Sequence, residues 1–251
     1  MTIIYIYARG KSAAGGVELR SSLRSIAKYG RGIDRVAVVG YCPEWLSDEV
    51  VQLPYFDGMS LGNGNSMGSK TLNILANCVH AVNNLDGEEF LVSMDDHFYL
   101  KETDFEHYPY FVRDRVDRPW RAELPKNEFA NTYNAILSAT RAMLEKRGFP
   151  VLNFAIHRNM HIRKSIVWEF REEAVEIMKR RLPAIEPFAL WNNILLGRGE
   201  ITPTIVADNK PFKATEVDRN WDVFSTPDFV GGGSFERLLN ELYPDKCVFE
   251  K

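Results

Sequence analysis

Cysteine is scarce in this chain of 251 residues: Cys42, Cys78 and Cys247 are far apart and odd in number. That excludes a disulfide framework and a CxxC zinc site and leaves reduced thiols as the expectation. Long apolar runs are missing too. No stretch approaches the roughly 20 residues that cross a bilayer, so no membrane span is expected. Met1-Thr2-Ile3-Ile4-Tyr5-Ile6-Tyr7 has neither the basic flank nor the small-residue cleavage site of a signal peptide, and a cytoplasmic protein is the expectation. Nor is there an excess of one charge: 31 Lys and Arg stand against 34 Asp and Glu, a net of −3. A globally cationic nucleic-acid coat or polybasic membrane arm is thereby excluded, although a local basic patch is not. Several catalytic signatures are absent. No Gly-x-Ser-x-Gly elbow occurs, Gly10-Lys11-Ser12 lacks the earlier glycine of a P-loop, and no GxGxxG is found.

What is present is 45% apolar residues, enough at this length for one sizeable core without staples. Thr2 to Ala8 reads as a buried strand that runs into the small-residue loop Arg9 to Gly16. Val17, Leu19, Leu23, Ile26 and Ala27 keep helical spacing, with Arg20, Arg24 and Lys28 on another face, and Gly30 and Gly32 end the helix. Arg35 to Gly40 is a second buried strand and Val50 to Leu53 a third, shorter one. Asp57 to Gly68, with four glycines and two asparagines, predicts a loop long enough to suggest binding. A helix over Ser69 to Asn84 and a strand over Glu89 to Met94 follow. Strands alternating with helices predict an α/β fold with a parallel, covered sheet. Further on, the pattern predicts helices at Phe129 to Arg147, Ser165 to Arg181, Pro187 to Leu196 and Ser234 to Leu242. Strands are predicted at Asn153 to Ile156 and Thr204 to Ala207.

Two constellations carry chemistry. Asp95-Asp96-His97 closes an apolar strand, at the sheet edge where open α/β folds bind ligands. Carboxylates and imidazole both ligate Mg²⁺ or Mn²⁺, which neutralise a diphosphate; a turn capping the next element would read the same way. Arg9, Lys11, Glu18, Arg20 and Arg24 flank a Gly-rich strand-to-helix loop, an arrangement suited to phosphate, though a solvated helix face would also place the arginines there. His157 and His161 are spaced as a metal pair on a helix, yet Asn153 to Ile156 looks like a strand and sets His157 at its end.

Glu18-Leu19-Arg20-Ser21-Ser22-Leu23-Arg24-Ser25-Ile26 resembles a segment of Stealth-type sugar-phosphate transferases. Pro43-Glu44-Trp45-Leu46 and Met94-Asp95-Asp96-His97-Phe98 are similar to two more of their segments. Four later stretches (Asn153 to Met160, Leu190 to Asn193, Asp208 to Lys210 and Phe224 to Asp228) are similar to phage and prophage glycosyltransferase-like proteins. Tyr7-Ala8-Arg9-Gly10 departs from the Stealth pattern, which is acidic there. The resemblance implies a single GT-A-like (Rossmann-like) domain over 1–251 with an open, mostly parallel mixed sheet flanked by helices. Its half 1–100 would bind a nucleotide-sugar donor, UDP-sugar favoured, and 101–251 the acceptor. It implies a divalent metal, Mn²⁺ or Mg²⁺, on Asp96 and His157, with Asp95 and Asp96 at the sugar phosphate. Arg9, Glu18 and Arg20 would lie near the nucleotide. Lys70 joins them by its place after the Gly-rich loop, and Asp208 is the candidate base.

For the acceptor, residues 141–181 hold ten Lys and Arg against five Asp and Glu. With Arg113, Arg115, Trp120 and Arg121 they predict a cationic surface that would suit DNA carrying a hydroxymethylated pyrimidine, a surface glycan being the rival. Solvated amphipathic helices would explain the same charges. The alternatives to glycosyl transfer are sugar-1-phosphate transfer and a non-catalytic nucleic-acid or glycan-binding module.

Overall fold

The computed structural model describes residues 1–8, 16–55, 67–113, 128–173, 176, 185–227 and 232–251. The first half runs β1 (Thr2–Tyr7), α1 (Val17–Tyr29), β2 (Gly30–Arg31), β3 (Arg35–Gly40), β4 (Val50–Pro54), α2 (Met67–Asn84), β5 (Glu89–Ser93) and β6 (His97–Tyr99). It continues with β7 (Thr103–Asp104), β8 (Phe111–Val112), α3 (Glu128–Lys146), β9 (Met160–Arg163), α4 (Lys164–Glu169), α5 (Pro187–Gly197), β10 (Thr204–Ile205), β11 (Val223–Ser225) and α6 (Ser234–Leu242). The fold is α/β, as the alternation predicts.

Five strands form the main sheet in the order β4-β3-β1-β5-β9. The first four are parallel and β9 runs antiparallel to β5. Successive strand residues point to opposite faces, and here both faces are covered. Ile3, Tyr5, Val36, Val38 and Leu91 pack against Leu19, Leu23 and Ile26 of α1. Ile4, Ile6, Ala37, Val39, Phe90 and Val92 pack against α2, α3 and α5 through Leu75, Cys78, Leu137, Phe188 and Trp191. Continuous apolar strands are the sequence consequence of this three-layer arrangement. Gly40 is required where β3 meets β1: its φ is +101°, and a Cβ there would lie 2.5 Å from the Tyr7 carbonyl oxygen.

From β1 the chain steps outward through β3 and β4, then returns over α2 to place β5 on the other side of β1. The carboxyl ends of β1 and β5 therefore flank a topological switch point, where open sheets form a ligand crevice.

Most predicted elements appear within two residues of their expected bounds, but Asn153 to Ile156 is not a strand. Those residues are buried, except for the half-buried Ala155, and their backbone finds other partners. Asn193 on α5 bonds both the Leu152 N–H and its carbonyl, each at 2.8 Å, Arg113 N–H donates to Asn153 O, and Ala155 N–H donates to the Asn153 side chain. The ladder to β5 is made later, by Met160–Arg163. The stretch 57–66 of the expected loop lies outside the described residues, and α2 begins at Met67.

Candidate functional site

Asp95 and Asp96 occupy the turn between β5 and β6, closed by His97 N–H donating to Met94 O at 3.3 Å. The turn reading holds, and the turn lies at the carboxyl edge of the sheet beside the switch point. His97 is not a loop residue. It begins β6, pairs with Ser225 of antiparallel β11, and is buried. α1 fixes this ribbon from below: Ser22 Oγ donates to His97 O at 2.5 Å, and Ser25 Oγ accepts from Tyr99 N–H at 3.1 Å.

A second ribbon delivers the opposite wall. β8 and β10 pair in parallel, so Arg113 and Asp208 emerge at the same end, with Arg113 Nη1 4.0 Å from Asp208 Oδ2. Lys210 N–H donates to Asp208 O at 3.1 Å, a γ-type turn, and both side chains of that turn reach one imidazole. His157 Nδ1 lies 2.9 and 3.0 Å from the two Asp208 oxygens, and the His157 N–H donates to Oδ1 at 3.1 Å. Lys210 Nζ donates to His157 Nε2 at 2.9 Å. These partners assign the neutral tautomer with its proton on Nδ1.

The two walls meet at Asp96. Its Oδ2 accepts from Ser225 Oγ at 2.6 Å and lies 3.8 Å from Lys210 Nζ. Arg158 ties them together, with Nη1 and Nη2 2.5 and 2.9 Å from the Asp222 oxygens just ahead of β11. One string of polar groups thus runs Ser225, Asp96, Lys210, His157, Asp208, Arg113 along the carboxyl edge of the sheet.

Burial alone would raise the Asp96 carboxyl, but His97, Lys210 and the Ser225 hydroxyl outweigh it and hold the group below its ordinary range. Asp208 behaves alike: burial raises it, and the side-chain and backbone hydrogen bonds from His157, with the Arg113 charge, bring it below. Both carboxylates are therefore ionised at neutral pH. Burial pushes His97 down to about 4, keeping it neutral against Asp96.

The other expected site residues fall as follows. Glu18 is buried and accepts from Thr226 Oγ1 at 2.9 Å, joining α1 to the end of β11. Arg20 lies over the Trp45 ring, 4.1 Å from its centroid, and donates to Glu250 at 2.9 Å; Arg24 holds the same carboxylate. The arginine expected near the nucleotide thus shares the Glu250 carboxylate with Arg24. Gly16 permits this packing, since at φ +74° its Cβ would meet Trp45 at 3.1 Å. Lys70 lies half-buried in the first turn of α2. His161 is on β9, stacked on Tyr110 at 3.9 Å, with Nε2–H donating to Tyr108 O, so the two histidines form no helical pair. Arg9, Lys11, Arg115, Trp120 and Arg121 lie outside the described residues.

Where it is described, the expected basic surface is in large part ion-paired. Arg141, Arg147, Arg158 and Arg163 pair with Glu145, Glu173, Asp222 and Glu89, so net charge over 141–181 overstated the cationic face. Nor does the donor set fit a resident divalent ion. The lone pair of His157 Nε2 already accepts from Lys210, an Asp96 oxygen is held by Ser225, and among the described residues no group of three or more His, Cys, Asp or Glu converges. Asp208 to Lys210 and Phe224 to Asp228 stand out in the sequence as similar segments, yet nothing in the sequence gives a role to Lys210 or Ser225. Their partners lie 53 and 129 positions away, and only the folding of the two ribbons brings them together.

No protein-family model and no curated protein matches the sequence. Among solved structures the chain is similar to the galactosyltransferase LgtC in complex with donor and acceptor sugar analogues. The match covers 99% of this chain and 97% of that one, at 12% identity and a TM-score of 0.49. Among the described residues no helix is long and apolar enough to cross a membrane.

Proposed function

We propose that the protein transfers a sugar from a nucleotide-sugar donor, a UDP-sugar in the first instance, to a hydroxyl acceptor in this crevice. The observation that carries the reading is the string from Asp96 to Arg113 at the switch point, where cations and ionised carboxylates alternate. Glycosyl transfer develops negative charge on the departing diphosphate and positive charge on the sugar ring, and each needs an opposite partner held in place beforehand. Asp95 and Asp96 serve the ring side. The acceptor oxygen attacks C1, the bond from C1 to the phosphate oxygen breaks, and its electron pair leaves with the diphosphate. The hydroxyl proton goes to His157 Nε2. Asp208 acts here as a positioning residue: by accepting from both Nδ1–H and the backbone N–H of His157 it fixes the tautomer that leaves Nε2 basic. Ser225 and Thr226 orient Asp96 and Glu18 from one short strand end. Residues 1–100 would hold the donor and the later segments the acceptor, with Arg113 at the boundary.

The experiment is a panel of UDP- and GDP-sugars scored for hydrolysis or transfer by mass spectrometry. We expect turnover of at least one donor, and its loss in Asp96→Ala with folding intact. Turnover unchanged in Asp96→Ala contradicts the reading. A product retaining a phosphodiester assigns sugar-1-phosphate transfer instead, and salt-dependent DNA binding without any nucleotide-sugar binding assigns a binding module.

A further inference from the structure

The two side chains expected to hold a divalent ion, Asp96 and His157, both face the ammonium of Lys210, at 3.8 and 2.9 Å. A nitrogen lone pair that accepts from an ammonium cannot ligate a metal at the same time. The contact to Asp96 is an ion pair without a hydrogen bond, so of the three N–H donors of an ammonium only the one on His157 is engaged among the described residues. Lys210 is a third exposed and stands on a flexible four-carbon stem between the two walls. It is thus a compact positive charge with spare donors at the focus of the crevice, the chemistry that binds phosphate oxygens.

We propose that Lys210 is the cation that binds the donor diphosphate and takes up the charge of the leaving group, in place of a divalent ion. The proposal rests on the glycosyl-transfer reading and deepens it. When the diphosphate enters, the Lys210 ammonium turns from His157 Nε2 to a phosphate oxygen. This exposes the imidazole lone pair beside the acceptor. As the bond from C1 to oxygen breaks, the electron pair stays on the diphosphate oxygen to which Lys210 donates. The acceptor proton moves to His157. One residue thereby couples donor binding to the release of the base.

The test is titration calorimetry on the full chain with Mn²⁺ alone, and with pyrophosphate, UDP and GDP, each in EDTA and in Mn²⁺. Saturable binding of a nucleoside diphosphate in EDTA, unaltered by Mn²⁺, is expected, with no saturable heat from Mn²⁺ alone. Lys210→Gln should weaken that binding by about 10–100-fold, the worth of one charge-assisted hydrogen bond, and Lys210→Arg should restore most of it. Thermal unfolding of both variants at the wild-type temperature shows that folding is not the cause. Binding that requires Mn²⁺, or wild-type affinity in Lys210→Gln, overturns the role of Lys210 and leaves the transfer reading standing. Absence of nucleotide binding in both buffers overturns the two together.

Discussion

His97 and Glu186 are buried ionisable groups with opposite pH behaviour. The unfolded chain protonates His97 near 6.5 but the folded chain only near about 4, so acidification through that window favours the unfolded state. Glu186 caps α5, accepting from Ala189 N–H at 2.5 Å, and burial raises it to about 7 from 4.5. Here a rise in pH from 4.5 through 7 favours the unfolded state, which loses its proton first. Each shift is worth about 3 kcal/mol, and between pH 4.5 and 6.5 the two slopes cancel. Wild-type stability should therefore be nearly flat across that range. Glu186→Gln keeps an acceptor for Ala189 and removes one slope, so this variant should lose about 3 kcal/mol between pH 6.5 and 4. Urea titrations at four pH values check this, and parallel profiles for the two proteins contradict it. Neither group could be ranked from the sequence: burial beside uncompensated neighbours is a property of packing.

At the scale of elements, what was legible follows from periodicity. α1, α2, α3 and α6 each bury one face against a neighbour, α5 is buried all round from Pro187 to Leu195, and β1, β3 and β5 are buried on both faces, so apolar spacing or an apolar run reports them directly. The misplaced strand shows the limit. Asn153 to Ile156 has the burial of a strand, but the side chain of Asn193 supplies the partners that a ladder would have given Leu152. An apolar run records burial and not which groups satisfy its backbone. The segment matters because it carries His157 to Asp208. Asn193→Ala leaves two backbone groups of Leu152 without partners, at about 1–3 kcal/mol each. A lower denaturation midpoint with unchanged slope is expected, together with weaker turnover as His157 loosens. An unchanged midpoint would show that water or a shifted backbone replaces the amide. Of the short ribbons β8–β10 and β6–β11, only β10 was legible, as the strand expected at Thr204 to Ala207; β6, β8 and β11, two or three residues each, are too short for any pattern, yet the ribbons bring Arg113, Asp208 and Ser225 into place.

For the whole molecule, strand order decides where chemistry belongs. The reversal between β1 and β5 brings the Asp95-Asp96 turn to the crevice, and that much the alternation of strands with an Asp pair foretold. Lys210 and His157 join it only because the second half of the chain folds back over the same edge. A groove of about 800 Å³ lies elsewhere, lined by Arg24, Asp34, Arg35, Tyr243 and Lys246. Arg35 begins β3, so this groove opens at the amino end of the strands, and the arginine of α1 that faces it is already held by Glu250. It offers cations and space, but no carboxylate-imidazole pair like Asp208 and His157. The most direct measurement is therefore a crystal structure of the protein with UDP or GDP bound. The account predicts the diphosphate at the carboxyl edge between β1 and β5, within hydrogen-bond distance of Lys210 Nζ. A nucleotide seated in the groove at the amino end, or one whose phosphates avoid Lys210 and Asp96, would contradict it.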